Sequence, residues 1–151
     1  MLELATRKDR SAVNRLARQV HELHVSWRPD LYTMPEELFP EDLFSELVKS
    51  RELYVAKLDG TVVGFAWVRI RTSEGVGLVT RKVMLINQVC VDKALRNRGI
   101  GTRIMEELRV LARAFSCTDL QLSVYPQNDE AVSFYQKCGF MIQSINMQRK
   151  V

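Results

Sequence analysis

The sequence predicts a mixed α/β fold in which helices cover the faces of one sheet. The predicted elements run as a strand, two helices, a strand meander, and then helix, strand, helix, strand. The dipeptide Asp59-Gly60 is a strong hairpin signal. After Gly99, apolar residues recur at helical spacing. At 151 residues, the chain is expected to form one domain over 1–151.

The first third of the chain is predicted to contain one strand and two helices. Leu2–Ala5 alternates between apolar and polar residues, as a short strand does. Asp9 is placed to cap a helix, and prolines break the segment Arg28–Pro40 before a second helix, Glu41–Lys49. The apolar residues that share one face of the first helix are Val13, Leu16, Ala17, Val20 and Leu23.

A strand meander follows. Leu53–Leu58 and Thr61–Ile70 flank the hairpin signal, and the glycines within Thr72–Thr80 predict a loop. Lys82–Val91 is predicted as the next strand. Strict alternation along it would place four side chains on one face: Met84, Ile86, Gln88 and Cys90.

The last third is predicted to alternate helices and strands. A helix starts at Gly99, a strand covers Leu120–Tyr125, and a helix covers Asn128–Lys137. Gly139 can end that helix in a left-handed conformation, and Phe140–Gln148 is predicted as the final strand.

Composition argues against several classes of function. The net charge of +4 is mild, and no block of five Lys or Arg residues occurs, which disfavours nucleic-acid binding. No apolar run is long enough for a membrane span, and the N-terminal segment lacks an apolar signal core, so we expect a cytoplasmic protein. Three cysteines and two histidines without ligand spacing favour reduced thiols and no metal site.

A basic turn joins the strand that ends near Val91 to the helix that starts at Gly99. It carries Arg96, Arg98 and Gly101. The first N–H groups of a helix have no partners within the helix and lie at the positive end of its dipole, so they suit a phosphate. Glycine lets phosphate oxygens approach the main chain closely. A tight turn that is merely basic remains the alternative interpretation.

Gly99-x-Gly101 also begins a dinucleotide-binding fingerprint. Position 104, however, is Ile where that pattern needs a small residue, and Asp119 precedes its strand instead of ending it. Too little chain follows Gly101 for the rest of such a fold, so we exclude it.

Two segments resemble the GNAT N-acetyltransferases. Arg96-x-x-Gly99-x-Gly101 matches their (Arg/Gln)-x-x-Gly-x-(Gly/Ala) motif, and Leu122–Phe140 is similar to their C-terminal motif of Asn, Ala, Phe-Tyr and Gly-Phe. The motifs cover Gln88–Phe140, whereas the element order agrees over the whole chain. The resemblance implies a GNAT acyl-CoA N-acyltransferase fold, with a mixed, mostly antiparallel sheet flanked by helices. It also implies acetyl-CoA as cosubstrate, without a metal.

The resemblance assigns the cosubstrate contacts by position. Main-chain groups of the strand before the turn would pair with the pantetheine arm, at Val89, Cys90 and Val91. Backbone N–H groups would bind the pyrophosphate, at Asn97, Arg98, Gly99, Ile100, Gly101 and Thr102. Arg96 and Arg98 would add charge-assisted hydrogen bonds. Asn128 would touch the cofactor arm, serve as a simple helix N-cap, or do both.

Tyr135 is the expected catalytic residue. Attack of an amine on the thioester expels a thiolate, and a phenol can donate a proton or hydrogen bond to that sulfur. The resemblance places Tyr135 in this position, although it could instead fill the core beside Phe134. A strand N–H near Val89 could polarise the thioester carbonyl.

The general base is not evident. Many relatives carry a glutamate on the strand before the turn, but Asn87 and Gln88 stand there in this chain. Proton loss could run through water or through a side chain of the first half. The side chains that could take that proton are Glu22, His24, Asp30, Glu36 and Glu37.

The segment from His24 to Tyr32 is polar and aromatic, and we expect it to line the acceptor site. Trp27, Tyr32 and Trp67 could shape an apolar slot. The leading hypothesis is acetyl transfer to a primary amine of a small molecule by direct attack in a ternary complex. A non-catalytic CoA sensor, a protein acetyltransferase and a basic nucleic-acid-binding module are the alternatives. Free sheet edges are also compatible with a homodimer.

Overall fold

One five-stranded sheet organises the chain, and the computed structural model describes all 151 residues. The strands lie in the order β1-β2-β3-β4-β5. The first three pairings are antiparallel and the β4–β5 pairing is parallel, which confirms the predicted mixed, mostly antiparallel sheet. The strands are β1 (Leu2–Leu4), β2 (Leu53–Leu58), β3 (Thr61–Ser73), β4 (Arg81–Val91) and β5 (Asp119–Leu122).

Four α-helices cover the two faces of the sheet. They are α1 (Arg10–Trp27), α2 (Glu41–Lys49), α3 (Ile100–Ala114) and α4 (Asp129–Lys137), and short 3-10 turns stand at Arg7–Asp9 and Lys93–Leu95. None of the helices combines the length and apolar character that a membrane crossing needs.

The sheet separates two hydrophobic cores. In the first core, α1 and α2 pack through Leu16 and Phe44 against side chains such as Phe65 of β3. In the second core, α3 packs through Ile104 and Leu108 on the opposite face, and part of α4 joins it. The apolar stripes of the helices therefore face the two cores as predicted, except that Leu23 of α1 is 38% exposed and joins neither core.

A β-bulge in β4 overturns the predicted facing of its side chains. Gln88 pairs with Trp67 and Ile86 pairs with Val68, so Asn87 is an extra residue opposite the β3 strand. One extra residue reverses the alternation that follows it. Met84 and Ile86 therefore lie in the second core, whereas Cys90 lies in the first, and the expectation that they share a face is wrong.

The strand bounds also differ from those predicted. The Asp59-Gly60 turn forms as expected, with φ of 48° and 78°. The β3 strand continues to Ser73 because the hairpin extends into the segment predicted as a loop. The β5 strand ends at Leu122, since β4 offers no partner beyond Ile86.

The prediction of a final strand over Phe140–Gln148 is wrong for the isolated chain. Phe140 packs against the second core, but every residue from 141 to 151 is exposed and lies outside any strand. A β-compatible sequence becomes a strand only when its main chain finds a hydrogen-bonding neighbour. This segment has none within its own chain.

Candidate active site

The pairing between β4 and the edge strand β5 ends before β4 does. Their parallel pairing covers only four positions and stops at the pair Ile86 and Leu122. Beyond it, β4 continues to Val91, still paired with β3 on its other side. Val89, Cys90 and Val91 therefore lie on a stretch of β4 that has no strand on its β5 side. An extended ligand can add to such an edge through main-chain hydrogen bonds.

The basic turn after β4 is tied to α1. The Asp92 carboxylate accepts hydrogen bonds from Arg15 Nη1 at 2.8 Å, from Gln19 Nε2 at 3.3 Å and from the Ala94 N–H at 3.1 Å. Gln19 Oε1 in turn accepts from the Lys93 N–H at 2.9 Å. The hydrogen bond from Arg15 lowers the pKa of Asp92 and keeps it ionised. These contacts fix the start of the turn on a helix of the first core.

Two left-handed residues shape the rest of the turn. Asn97 has φ of 61° and Gly99 has φ of 77°. Asn97 is one of the few side-chain-bearing residues in this conformation, which Asn tolerates better than most. Alternating backbone conformations of this kind point successive N–H groups into one concavity.

The backbone N–H groups from Asn97 to Thr102 donate to no acceptor in the chain. Intrahelical bonding resumes at Arg103, whose N–H donates to the Gly99 carbonyl at 3.0 Å. The free amides thus stand at the positive end of the α3 dipole. A phosphate fits such an arrangement because it accepts several hydrogen bonds at once.

The arginines of the turn reinforce this positive potential. Arg96 and Arg98 are exposed and form no ion pair with an acid, and Arg96 Nε donates to the Val91 carbonyl at 3.4 Å. Beside them lies a cleft of about 260 Å³. Its lining combines apolar and basic residues: Met1, Leu58, Leu95, Arg98, Gly99, Ile100 and Arg103.

Two glycines permit close packing around the turn. A Cβ on Gly64 would lie 2.7 Å from the Cys90 carbonyl oxygen and 3.0 Å from Ile104 Cδ1. A Cβ on Gly101 would lie 3.1 Å from the ring of Phe134, so α4 rests directly on the first turn of α3. The sequence singled out Gly101 for close approach of a phosphate and not for this packing, and it held no signal for Gly64.

Asn128 is the N-cap of α4. Its side-chain oxygen accepts from the Ala131 N–H at 3.2 Å, and its own N–H donates to the Tyr125 carbonyl at 2.9 Å. The capping interpretation is therefore confirmed, and a contact to the cofactor arm stays a prediction.

Tyr135 is packed between Phe134 and Phe140, with ring centroids 5.4 and 5.8 Å away. Burial, together with the neighbouring thiols of Cys90 and Cys138, raises the pKa of Tyr135 to about 12. No hydrogen bond joins its hydroxyl to another group of the chain, and because no fully buried side-chain oxygen lacks a partner, this oxygen keeps access to solvent or ligand. At neutral pH the side chain is therefore a protonated phenol with a hydrogen bond to give.

Cys90 is unsuited to act as a nucleophile. It is only 3% exposed and its thiol donates to the Leu16 carbonyl at 3.3 Å. Burial raises the pKa of the Cys90 thiol to about 12, so the thiolate is scarce. All three cysteines are free thiols.

An aromatic cluster joins the end of α1 to the segment after β5. We call His24, Trp27, Tyr32 and Tyr125 the aromatic cluster. Tyr32 and Tyr125 share a hydrogen bond between their hydroxyls at 2.5 Å. The His24 ring lies 5.3 Å from that of Tyr32 and 5.7 Å from that of Tyr125. Since the Tyr125 carbonyl accepts from Asn128, the cluster adjoins the start of α4.

The structure separates Trp67 from these aromatic residues. Its ring packs on Phe39 at 6.0 Å, and its Nε1 donates to Glu52 at 3.2 Å. Tyr125 takes part instead, and the sequence did not single it out because it lies 93 positions from Tyr32.

The predicted base candidates fall into different environments. Glu22 pairs with Arg18, Asp30 with Arg28 and Glu37 with Arg10. The hydrogen bond from Arg28 lowers the pKa of Asp30 to about 2, which makes it a poor base. Glu36 is exposed on a separate groove beside α1.

His24 differs from these carboxylates. It is half-buried in the aromatic cluster and its ring has no hydrogen-bond partner in the chain. Burial, together with the charge of His21, lowers the pKa of His24. The imidazole is therefore neutral at physiological pH and can accept a proton.

Comparison with known proteins agrees with this geometry. The chain resembles a solved F44R mutant of the BH1408 protein of Bacillus halodurans, with a TM-score of 0.95 at 27% identity over 100% of this chain and 99% of that one. It also shares its fold with the aminoglycoside N-acetyltransferase AAC(6')-Iy, solved in complex with CoA. The TM-score is 0.71 at 16% identity, and the match covers 100% of this chain and 99% of that one.

Curated relatives match over part of their length. An N-alpha-acetyltransferase of Sulfurisphaera tokodaii is 27% identical over 114 residues, which are 71% of this chain and 67% of that protein. An aminoglycoside N(6')-acetyltransferase type 1 of Klebsiella pneumoniae is 28% identical over 118 residues, 75% of this chain and 57% of that protein. The chain matches as little as 24% of a chloroplastic GCN5-related N-acetyltransferase 7 of Arabidopsis thaliana, at 34% identity over 44% of this chain.

The model of the "Acetyltransferase (GNAT) family" matches residues 17–140. That range contains β2 to β5, the basic turn, Asn128 and Tyr135. The chain therefore belongs to the GNAT acetyltransferase family.

Proposed function

We propose that this protein transfers the acetyl group of acetyl-CoA to a primary amine of a small molecule, by direct attack in a ternary complex. The observation that carries the proposal is the set of free amides from Asn97 to Thr102, beside the unpaired arginines Arg96 and Arg98. This arrangement suits the diphosphate of acetyl-CoA. The aminoglycoside acetyltransferases among the relatives favour a small-molecule acceptor.

Different parts of the site bind different parts of the two substrates. The amides of the turn and the two arginines hold the diphosphate. The free edge of β4 at Val89, Cys90 and Val91 takes the pantetheine arm by main-chain pairing, which directs the thioester toward Tyr135 and Asn128. The aromatic cluster receives the acceptor.

Proton movement then follows from two side chains with opposite protonation. A protonated amine cannot attack, and its pKa near 10 means that it must lose a proton first. His24 takes that proton, directly or through a water molecule. Tyr135, a phenol that is protonated at rest, donates its proton to the departing sulfur so that CoA leaves as a thiol, and it regains a proton from the nitrogen as the amide forms. Neither residue needs to change its resting state to begin the reaction.

Titration calorimetry with acetyl-CoA tests the cosubstrate. We expect saturable binding that weakens by at least about tenfold in Arg98→Gln, since a charge-assisted hydrogen bond contributes about 1.5–3 kcal/mol. Arg109→Gln is the matched control, because Arg109 lies on α3 and pairs only with Glu106. Absence of acetyl-CoA binding would refute the proposal.

An acceptor screen tests the reaction. A panel of small amines with acetyl-CoA should give acetylated products by mass spectrometry and free thiol in equal amount. Binding without thiol release from any amine would favour the non-catalytic CoA sensor. Acetylation confined to peptides would replace the small-molecule acceptor by a protein.

A further inference from the structure

The aromatic cluster offers a ligand the faces and edges of four rings. Each of the four side chains is half-buried, so each keeps part of its ring at the surface. In the contacting pairs the ring centroids lie 5.3 to 6.4 Å apart, and the ring planes are tilted or perpendicular. Aromatic rings prefer offset and edge-to-face contacts of this kind. A ring supplied by a ligand can therefore extend the same packing.

One basic atom stands within this aromatic surface. The hydroxyls of Tyr32 and Tyr125 are hydrogen bonded to each other. The His24 imidazole is free of any such partner, and it is neutral because burial and the charge of His21 lower its pKa. The cluster can thus take one proton from one amine, whereas the rest of its surface suits an apolar body.

The acids at the end of α1 are already paired with cations. Asp30 accepts two hydrogen bonds from Arg28, at 2.9 and 2.8 Å, and Lys150 Nζ lies 4.0 Å from the same carboxylate. Glu22 pairs with Arg18. These carboxylates therefore offer little negative charge to a further cation.

The acids that follow Tyr125 along the chain are compensated in a different way. Asp129 and Glu130 lie in the first turn of α4, where their charges offset the positive end of the helix dipole. The surroundings of the aromatic cluster consequently carry little uncompensated negative charge.

This charge distribution separates two kinds of amine. An amine with several ammonium groups needs negative charge to balance each of them as it leaves water. A single ammonium group is attracted to the faces of aromatic rings without a carboxylate. A carboxylate beside the amine would also raise its pKa and hold its proton, whereas a ring face leaves the proton for His24 to take.

We propose that the acceptor is a primary amine that carries one positive charge and an aromatic ring, of which 2-phenylethylamine is a simple example. This inference rests on the proposed acetyl transfer and narrows its acceptor. The ring packs on the aromatic cluster, and the amine nitrogen lies within reach of His24. The chain thereby differs from its aminoglycoside N(6')-acetyltransferase relatives, since an aminoglycoside carries several ammonium groups.

A comparison of three amines at saturating acetyl-CoA tests the acceptor class. We expect kcat/KM for 2-phenylethylamine to exceed that for 2-cyclohexylethylamine at least about threefold, because only the phenyl ring makes aromatic contacts. It should exceed that for kanamycin A, an aminoglycoside, at least about tenfold. Equal or better use of either competitor overturns the inference.

The same assay distinguishes this inference from the proposed function. Product from kanamycin A alone overturns the aromatic acceptor but leaves acetyl transfer to a small-molecule amine in place. Thiol release with none of these amines, nor with any of the wider panel, overturns both.

Trp27→Leu tests the ring surface, because it removes a ring and keeps an apolar side chain. The KM for 2-phenylethylamine should rise at least about fivefold, and the KM for acetyl-CoA should stay the same. Phe115→Leu is the matched control: Phe115 directly follows α3 and is 42% exposed, and this variant should leave both KM values unchanged. An unchanged KM for 2-phenylethylamine in Trp27→Leu overturns the inference.

Arg28→Gln tests the charge argument without altering a core side chain. It frees the Asp30 carboxylate, so the Ki of kanamycin A as a competitor of 2-phenylethylamine should fall at least about threefold. Arg10→Gln is the control, because it frees Glu37 on the separate groove beside α1 and should leave that Ki unchanged. A Ki that does not fall in Arg28→Gln overturns the exclusion of polycationic acceptors by charge.

Discussion

Tyr135 and His24 are held in the protonation states that the proposed acetyl transfer needs. Burial raises the pKa of Tyr135 to about 12, which keeps the phenol protonated. Burial and the charge of His21 lower the pKa of His24, which keeps the imidazole neutral. Two titratable groups shifted apart in this way suit an acid and a base of one reaction.

Tyr135→Phe is expected to lower kcat by about 10²-fold or more, because the leaving sulfur loses its proton donor. Binding of acetyl-CoA should be unchanged, since the aromatic packing against Phe134 and Phe140 remains. Steady-state kinetics and calorimetry measure the two effects. Tyr54→Phe is the control, because it removes a buried phenol from β2, away from the turn, and it should keep full turnover. Unchanged turnover in Tyr135→Phe would exclude its role as donor.

The pH profile tests His24. Activity should rise as pH increases through the lowered pKa of His24 and then stay level, because only the neutral ring accepts a proton. In the folded state this pKa lies below the unfolded value near 6.5, so the unfolded chain binds more protons and His24 costs stability as pH falls below about 6.5. In His24→Gln, the decrease of kcat/KM at acidic pH should disappear. The decrease of the unfolding midpoint over the same pH range should become smaller. His21→Gln, which keeps a donor to the Thr33 carbonyl, is the comparison: the decrease of kcat/KM should persist but move to higher pH, because the charge of His21 no longer lowers the pKa of His24.

Residue roles divide into those that a local pattern reveals and those that need the fold. Gly99 and Tyr135 stand in motifs that a resemblance can locate. The Tyr32–Tyr125 hydrogen bond joins residues 93 positions apart, and only the meeting of α1 with the end of β5 brings them together. Gly64 gave no signal because its importance lies in the Cys90 carbonyl 2.7 Å from where a Cβ would stand.

At the scale of elements, the helices were predicted more accurately than the bounds of the strands and the faces that their side chains occupy. The stripe that contains Ile104 and Leu108 depends only on helical spacing, and both side chains are fully buried in α3. The Asn87 bulge depends on pairing with β3, which alternation along β4 alone does not encode. The segment Phe140–Gln148 was predicted as a strand from its own composition, but its own chain supplies no neighbour for it.

The hydrogen bonds between Asp92 of the turn and α1 predict that the turn needs this helix to bind acetyl-CoA tightly. Asp92→Ala removes the acceptor that Arg15, Gln19 and the Ala94 N–H share, so the amides after it lose their fixed orientation. We expect the Kd for acetyl-CoA to rise about tenfold, equivalent to about 1.4 kcal/mol. Asp119→Ala is the control, because it removes an ion pair with Arg81 at the start of β5. Equal affinities in the two variants would argue against anchoring through Asp92.

At the scale of the whole molecule, the sheet divides the interior into two cores, and β2, β3 and β4 contribute side chains to both. Leu16 of α1 and Leu108 of α3 are both fully buried, one in each core. The sequence predicted helices on both faces from element order alone, and this was confirmed. It could not predict which strand residues face which core after the Asn87 bulge.

Leucine truncation tests this division. Leu16→Ala and Leu108→Ala should each lower the free energy of unfolding by about 2–5 kcal/mol. In the double variant the losses should add to within about 0.5 kcal/mol, because the two side chains have no shared cavity. Chemical unfolding followed by circular dichroism measures all four proteins. A deviation from additivity well above that limit would mean that a truncation in one core also changes the packing of the other.

The free amides of the turn belong to the main chain, and this limits how mutation can remove them. Replacing the side chain of Arg98 or Thr102 leaves the corresponding N–H in place, so the proposed phosphate-binding concavity tolerates changes of residue identity at these positions. Proline alone deletes a donor outright. What evolution must keep is therefore the backbone conformation of the turn, with positive φ at Asn97 and Gly99, more than a particular set of side chains.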